Sequence, residues 1–247
     1  MTRIFSTFIA ALALAFTAPA NATPPDAMDV SDELFGISKT HLFVLRHTDD
    51  NLGLYTVSAR HVFLVAIDLK TAEEEYWRVS LTVRGEKYDE SGGSIGMVTE
   101  RQSRPNEANP YDILGKNGGQ PLSASGLRAY PFPKAEISTD TKSVSVKAEF
   151  GPSFAMKRAL ADERITASNR NLGQRIWEPV RMSRQYTTKQ AWADRTVPLE
   201  QCIFSDVGRV WFSPETPRVQ LVRATCAEEE ETGVTSVILV LPPIPAP

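Results

Sequence analysis

Two neighbouring stretches with the spacing of β-strands constrain the fold more than any other part of the sequence. Residues 62–67 are almost wholly apolar, as in a strand covered on both faces. After a turn-forming stretch at 68–73, residues 77–84 alternate between apolar and polar side chains, which places Trp77 and Leu81 on the same face. The pattern predicts an antiparallel hairpin.

Other segments have the same character and indicate the fold class. Residues 41–47, 143–150 and 234–241 are rich in strand-forming residues and are bounded by turn-forming ones. One helix is predicted over 154–162, with Ser153 in position to cap it. We therefore predict a mainly β fold, an antiparallel sandwich or a partly open barrel with one or two short helices.

The chain has two cysteines, Cys202 and Cys226. Residues 207–212 and 218–223 have strand character on either side of a turn centred on Pro214. A hairpin folded about this turn brings the cysteines opposite each other at its open end. A redox-active pair is the alternative, but its usual C-x-x-C spacing is absent. We predict a structural disulfide.

The N-terminal residues have the order of parts of a secretory signal peptide. Arg3 supplies positive charge, and an apolar run covers 4–16. Ala20 and Ala22 are small residues at the positions that a signal peptidase recognises before its cleavage site. As a helix, the apolar run reaches about 20 Å, short of the roughly 30 Å of a hydrocarbon core. We predict cleavage after Ala22, a periplasmic or secreted location, and no transmembrane segment in the mature chain.

Removal of residues 1–22 leaves a length typical of one domain, with two small domains as the alternative. We predict a loose N-terminal leader over 23–38 and a single mainly β domain over 39–247. Within that domain, residues 85–134 are rich in glycine and proline, and we expect a long irregular excursion there. The net charge of −3 does not favour binding to nucleic acid.

The sequence Gly-Gly-Ser-Ile-Gly at 92–96 matches the G-x-S-x-G pattern of a hydrolase nucleophile. Such a serine needs a buried strand before it and a helix after it, whereas both flanks here are polar or lack an apolar period. All three histidines precede Ser94, although the histidine of that triad follows the serine. We interpret the match as a loop and predict no catalytic residue.

The three histidines, His41, His47 and His61, suggest a metal hypothesis. His41 and His47 on one straight strand are roughly 20 Å apart and cannot share an ion. His47 and His61 come together only if their strands pair, with Asp49 or Asp50 completing the site. No recognised ligand spacing supports this arrangement, so no metal or other cofactor is predicted.

A basic segment rich in aromatic residues covers 157–195, where nine Lys or Arg residues stand against four acids. Guanidinium groups beside aromatic rings suit anionic glycans, phosphorylated ligands or an acidic protein patch. The alternative is a solvated arginine-rich face whose tryptophans belong to the core. The predicted ligand surface consists of Arg175, Trp177, Arg181, Arg184, Tyr186 and Trp192.

A β scaffold that carries long loops usually places its binding residues on those loops. The sequence therefore favours an exported, non-enzymatic binding module whose partner is an envelope protein or an anionic ligand. The alternative is a hydrolase of envelope or extracellular polymers, with carboxylate catalysts that the sequence does not identify.

Overall fold

The structure is a computed structural model that describes residues 27–52, 57–122, 136–140, 142–147, 153–173, 175, 202–213, 218–227 and 233–242. Its strands, in chain order, are β1 (Met28–Ile37), β2 (His41–Asp50), β3 (Val57–Asp68), β4 (Glu74–Tyr88), β5 (Ser94–Arg101), β6 (Gln120–Pro121), β7 (Glu136–Thr139), β8 (Ser143–Lys147), β9 (Phe154–Lys157), β10 (Cys202–Val210), β11 (Val219–Ala227) and β12 (Val234–Leu241). Its helices are α1 (Pro110–Lys116) and α2 (Arg158–Gly173). The prediction of a mainly β fold with one or two short helices is confirmed.

Most of the strands form one large sheet in the order β10-β11-β12-β1-β2-β3-β4-β5, with the short β6 against β1. Its pairs are antiparallel except for β1 and β12, which run parallel. The sheet is not closed into a barrel. The parallel pair joins the C-terminal strands to the meander β1–β5, and its register covers only Val30↔Thr235 and Ser31↔Ser236.

The hairpin of β3 and β4 is confirmed, with Ile67 opposite Glu74 at its turn. A register shift occurs where Val62 faces Ser80 and Phe63 faces Arg78, so Val79 is the extra residue of a β-bulge. The bulge moves the buried Leu81 onto the face of Arg78 and away from the face of Trp77. The expectation that Trp77 and Leu81 share a face is therefore wrong.

A second layer covers one face of the large sheet. The strands β7, β8 and β9 form a small antiparallel sheet, and α2 follows β9 directly. Phe154 and Met156 of β9 and Ile165 and Leu172 of α2 share one buried apolar cluster with residues of the large sheet, such as Val65. This layer determines which strand residues lie beneath α2.

The disulfide prediction is confirmed, since Cys202 and Cys226 are bonded. They face each other as the first register pair of β10 and β11. The hairpin turns between Val210 and Val219, as the symmetry about residue 214 indicated.

The predicted loose leader over 23–38 is wrong from residue 28 onward. Met28–Ile37 is β1, a central strand between β12 and β2. Its inward positions begin with Met28 and Val30 but continue with the buried acid Asp32, which obscured the apolar alternation.

The predicted irregular excursion over 85–134 is also wrong over most of its described part. β4 continues to Tyr88 and pairs with β5, and α1 follows. The Asn109 side chain accepts a hydrogen bond from the Tyr111 backbone N–H and caps α1, which begins with Pro110. Residues 123–134 lie outside the described part of the chain.

The helix predicted over 154–162 is displaced along the chain. Phe154–Lys157 is a strand, and the helix runs over Arg158–Gly173. Pairing of Phe154 with Val146 and of Met156 with Val144 explains why tertiary contacts override the local helical signal.

Neither described helix is long and apolar enough to cross a membrane.

Candidate functional site

A buried arginine lies at the centre of the face beneath α2. Arg46 has no exposed surface, and its guanidinium donates to both carboxylate oxygens of Asp32, at 2.7 and 2.9 Å. It also donates to both oxygens of Glu74, at 3.1 and 3.3 Å, and to the hydroxyl of Tyr76. An arginine side chain has five N–H donors, so each donor of Arg46 has an acceptor.

The surrounding elements complete this network. Ser168 of α2 donates from Oγ to Glu74 Oε1 at 2.8 Å. The backbone N–H of Ile238 on β12 donates to Asp32 Oδ2 at 2.9 Å. Arg223 of β11 donates to the carbonyl of Asp32 at 2.8 Å. We call Asp32, Arg46, Glu74, Tyr76 and Ser168 the Arg46 cluster; it connects β1, β2, β4 and α2.

Burial and charge shift the pKa values of two members of the Arg46 cluster. Burial raises the pKa of Tyr76 well above its usual range, and the Glu74 carboxylate raises it further although Arg46 opposes this. Burial alone would lower the pKa of Arg46, but the charges of Asp32 and Glu74 raise it well above its usual range. Tyr76 therefore stays neutral and Arg46 stays charged at neutral pH.

Tyr76 connects the Arg46 cluster to a second arginine environment. The guanidinium carbon of Arg175 lies 4.9 Å from the centre of the Tyr76 ring, within cation–π range. Arg175 also donates from Nη1 to the carbonyl of Asn171 at 2.8 Å. Arg78 Nε donates to the carbonyl of Arg175 at 2.6 Å.

Arg78 and Arg175, which we call the α2 arginine pair, are near enough to repel each other. Burial lowers the pKa of Arg78, and the charge of Arg175 lowers it further. Two cations and an aromatic ring thus meet at the C-terminal end of α2.

A cleft with a volume of about 630 Å³ lies between the β3–β4 turn, α2 and β12. Its charged lining residues are mostly acidic: Asp68, Glu73, Glu74, Glu75 and Glu163, with His41 and Arg164. Ile238, Leu239 and Val240 contribute an apolar wall. The volume suits a small ligand or a partner's side chain.

Three of the cleft's charged groups, Glu74, Asp68 and Arg164, are engaged by the fold itself. Glu74 belongs to the Arg46 cluster. Asp68 accepts hydrogen bonds from the backbone N–H groups of Thr71 and Lys70 in the β3–β4 turn, and the bond from Thr71 is the main reason that its pKa is lowered. Arg164 donates to the carbonyl of Val240 at 2.9 Å.

Of the predicted ligand surface, the structure describes Arg175, and it places this residue on the ring of Tyr76. The other members lie outside the described residues and stay a prediction: Trp177, Arg181, Arg184, Tyr186 and Trp192.

The G-x-S-x-G match lies in the β4–β5 hairpin. Ser94 is the first residue of β5, and its hydroxyl donates to Glu86 of β4. A strand follows the serine where a nucleophile elbow requires a helix. The interpretation of this motif as non-catalytic agrees with that geometry.

The histidines do not converge. β2 and β3 do pair, but His47 faces Val62 whereas His61 faces Thr48, so His47 and His61 point to opposite faces of the sheet. His41 lies at the other end of β2, with its Nε2 3.9 Å from Asp68. Over the described ranges, no group of three or more His, Cys, Asp or Glu residues is placed to hold a metal ion.

Sequence reasoning missed the Arg46 cluster. Alternation along β2 offered a signal, because Arg46 continues the inward face of Leu42 and Val44. A charged residue at a core position requires a partner. No local signal identified Asp32 and Glu74, which are 14 and 28 residues away, as those partners.

Comparisons with protein-family models, curated proteins and solved structures find no match to this chain. A functional assignment therefore depends on the geometry described above.

Proposed function

We propose that this protein is an exported, non-enzymatic binding module that uses the α2 arginine pair to contact an anionic ligand or an acidic patch on an envelope protein. The observation that carries the proposal is the position of Arg175 on the Tyr76 ring with Arg78 beside it. Guanidinium groups form paired hydrogen bonds to carboxylate, phosphate and sulfate groups, and an aromatic support fixes their orientation.

The Arg46 cluster supports this site from below. The Tyr76 hydroxyl donates to Glu74 at 2.6 Å and accepts from Arg46, so the ring that carries Arg175 is fixed on its buried side. The Tyr76 ring and the buried Phe63 ring also meet in a T-shaped arrangement, with a centroid distance of 6.2 Å. A binding group on a rigid support loses less conformational entropy when its ligand binds.

A location outside the cytoplasm is part of the same proposal. The signal-like residues 1–22 lie outside the described part of the chain, and export with cleavage after Ala22 is proposed from the sequence. The Cys202–Cys226 disulfide supports a periplasmic or secreted location, because such bonds persist in oxidising compartments.

The alternative, a hydrolase with carboxylate catalysts, would have to use the acidic cleft. A general acid near neutral pH needs a raised pKa. Each described carboxyl group with a shifted pKa has it lowered by hydrogen bonds: Asp68, Glu86, Asp89 and Asp140. Together with the engagement of Glu74 by Arg46, this chemistry favours binding over hydrolysis.

Calorimetric titration of the oxidised, exported protein tests the proposal. The probes are heparin, as a sulfated polyanion, and dextran, as a neutral polymer. We expect heparin to bind and dextran not to bind, and Arg175→Gln to weaken heparin binding about tenfold because a charge-assisted hydrogen bond is lost.

Arg60→Gln is the matched control, since it also removes one positive charge. Arg60 lies on β3 in an exposed ion pair with Asp49. An equal loss of affinity in Arg60→Gln and Arg175→Gln, or no binding of heparin at all, would contradict the proposal. Release of sugar fragments during the incubation would contradict the non-enzymatic role.

A further inference from the structure

The strand β5 forms one edge of the large sheet. The strand order ends with β5 beside β4, and within the described part of the chain no strand pairs with its outer side. Residues 57–122 are described without a gap, so β5 is described together with both loops that flank it. The other edge strand, β10, differs because β7 of the second layer lies near it. We call the outer side of β5 the open edge.

The ladder between β4 and β5 determines which backbone groups point to the open edge. The Gln102 backbone N–H donates to the carbonyl of Leu81 at 2.8 Å, and these two residues continue the register of β4 and β5. Hydrogen-bonded and non-hydrogen-bonded pairs alternate along an antiparallel ladder. Met97, Thr99 and Arg101 therefore occupy the non-hydrogen-bonded positions, and their backbone N–H and C=O groups point away from β4.

Apolar side chains are exposed on the same hairpin. The exposed fractions of Tyr88, Ile95 and Met97 are 57%, 57% and 48%. Proteins usually protect an edge strand with proline or with charged side chains, but residues 94–99 contain neither. A backbone edge without a paired strand, bordered by exposed apolar side chains, is suited to the addition of a strand from another chain.

We propose that the open edge of β5 pairs with the same edge of a second copy of this chain, antiparallel and about a two-fold axis at Val98. In this register Met97 exchanges backbone hydrogen bonds with the partner subunit's Thr99, and the symmetry repeats the exchange on the other side of the axis. Val98 faces the partner subunit's Val98 as a non-hydrogen-bonded pair. The two large sheets then continue as one sheet.

The sequence of β5 is complementary to itself in this register. Glu100 faces the partner subunit's Gly96, and Arg101 faces the partner subunit's Ile95, so no like charges stand opposite each other. Glu100 and Arg101 also form ion pairs within their own chain, with β4 and with the loop after β5. A second copy of the chain therefore meets the hydrogen-bonding groups of the open edge and covers its apolar side chains without a charge conflict.

Analytical ultracentrifugation of the oxidised, exported protein tests the dimer. The concentration series reaches about 100 µM, because an interface between two edge strands is small. We expect a monomer–dimer equilibrium. Thr99→Pro removes an N–H that the ladder with β4 does not use, so we expect dimerisation to weaken at least tenfold while thermal unfolding stays cooperative. Met97→Lys places a charge on the open edge and is expected to have the same effect.

Val98→Cys tests the register. The two natural cysteines are bonded to each other, so the new thiol can pair with its copy in the partner subunit, whose Cα lies about 4.5 Å away in a non-hydrogen-bonded pair. Glu100→Cys is the matched control on the same face of β5. Its two copies are four residues out of register, roughly 13 Å apart. We expect mass spectrometry to show a covalent dimer for Val98→Cys and a monomer for Glu100→Cys.

Three results would overturn the proposal: a wild-type protein that stays monomeric throughout the series, a dimer that Thr99→Pro and Met97→Lys both leave intact, or equal cross-linking of Val98→Cys and Glu100→Cys. The dimer contact does not include Arg78 or Arg175. Thr99→Pro should therefore bind heparin as the wild type does, and the dimer and the function proposed above can fail separately.

Discussion

The two arginine environments beneath and beside α2 contrast in their charge compensation. Arg46 is buried, and two carboxylates and a phenol of the chain itself take all its donors. Arg175 lies over the ring of the same tyrosine, next to another arginine. The first arrangement uses its charges within the fold, whereas the second places two cations beside one ring, where we propose that an anion binds.

The Arg46 cluster lies beside the parallel pairing of β1 and β12 in the sheet. β1 and β12 share only two register pairs, whereas β2 and β3 share ten. Asp32 lies on β1 and connects the two neighbouring strands, because its carboxylate accepts hydrogen bonds from Arg46 on β2 and from Ile238 on β12. The cluster therefore adds side-chain hydrogen bonds where the backbone pairing of β1 with β12 is short.

The largest expected effect is that of Arg46→Met. It leaves Asp32 and Glu74 buried without their cation, so we expect a loss of about 3–5 kcal/mol in the free energy of unfolding. Urea denaturation measures it. The control is Arg60→Met at an exposed pair, with an expected loss of about 0–1 kcal/mol. A loss below 1 kcal/mol for Arg46→Met would show that the buried network is dispensable.

The second effect concerns the disulfide, which lies outside both arginine environments. Replacement of both cysteines by serine is expected to cost about 3 kcal/mol, since the bond closes a loop across a sequence separation of 24 residues. Urea denaturation of the double variant measures the loss. Heparin affinity of the folded variant should not change; a parallel loss of affinity would mean that the hairpin and the α2 site are coupled.

The third effect separates the two roles of Tyr76. Tyr76→Phe removes the hydroxyl that joins Arg46 and Glu74, so we expect a loss of about 1–3 kcal/mol in unfolding free energy. The ring that supports Arg175 remains, so heparin affinity should stay within about twofold. Tyr76→Leu removes the ring as well, and calorimetry should then show weaker binding. Equal affinities of the two variants would argue against the ring as a support.

The smallest effect on stability is expected for Arg175→Gln. The Arg175 side chain contacts the Tyr76 ring and the backbone carbonyl of Asn171, so its replacement should change the unfolding free energy by about 0.5 kcal/mol or less. A thermal midpoint several degrees below that of the wild type would instead assign Arg175 a structural role.

The sequence predicted those parts of the fold whose pattern is local. The β3–β4 hairpin followed from alternation, and the Cys202–Cys226 pair followed from its symmetry about residue 214. β1 was missed because Asp32 takes a core position that an apolar residue usually fills. Asp32, which completes the hydrogen-bond network of Arg46, is thus also the residue that obscured the strand pattern of β1.

The candidate site was predictable only in part for a related reason. Composition pointed to Arg175, but its contacts Tyr76 and Arg78 come from a strand about 100 residues earlier. The bulge at Val79 changes which side chains of β4 share a face, and no turn-forming residue marks it. Long-range pairing and one extra residue in a strand therefore defined the site, and neither has a reliable sequence signal.

The most direct test of the central claim is heparin titration of the double variant Arg78→Gln/Arg175→Gln, monitored by calorimetry beside its unfolding transition. We expect heparin binding through the α2 arginine pair to be lost, while the unfolding transition stays cooperative and close to that of the wild type. Heparin affinity within about twofold of the wild type, in a variant that is folded, would contradict the account.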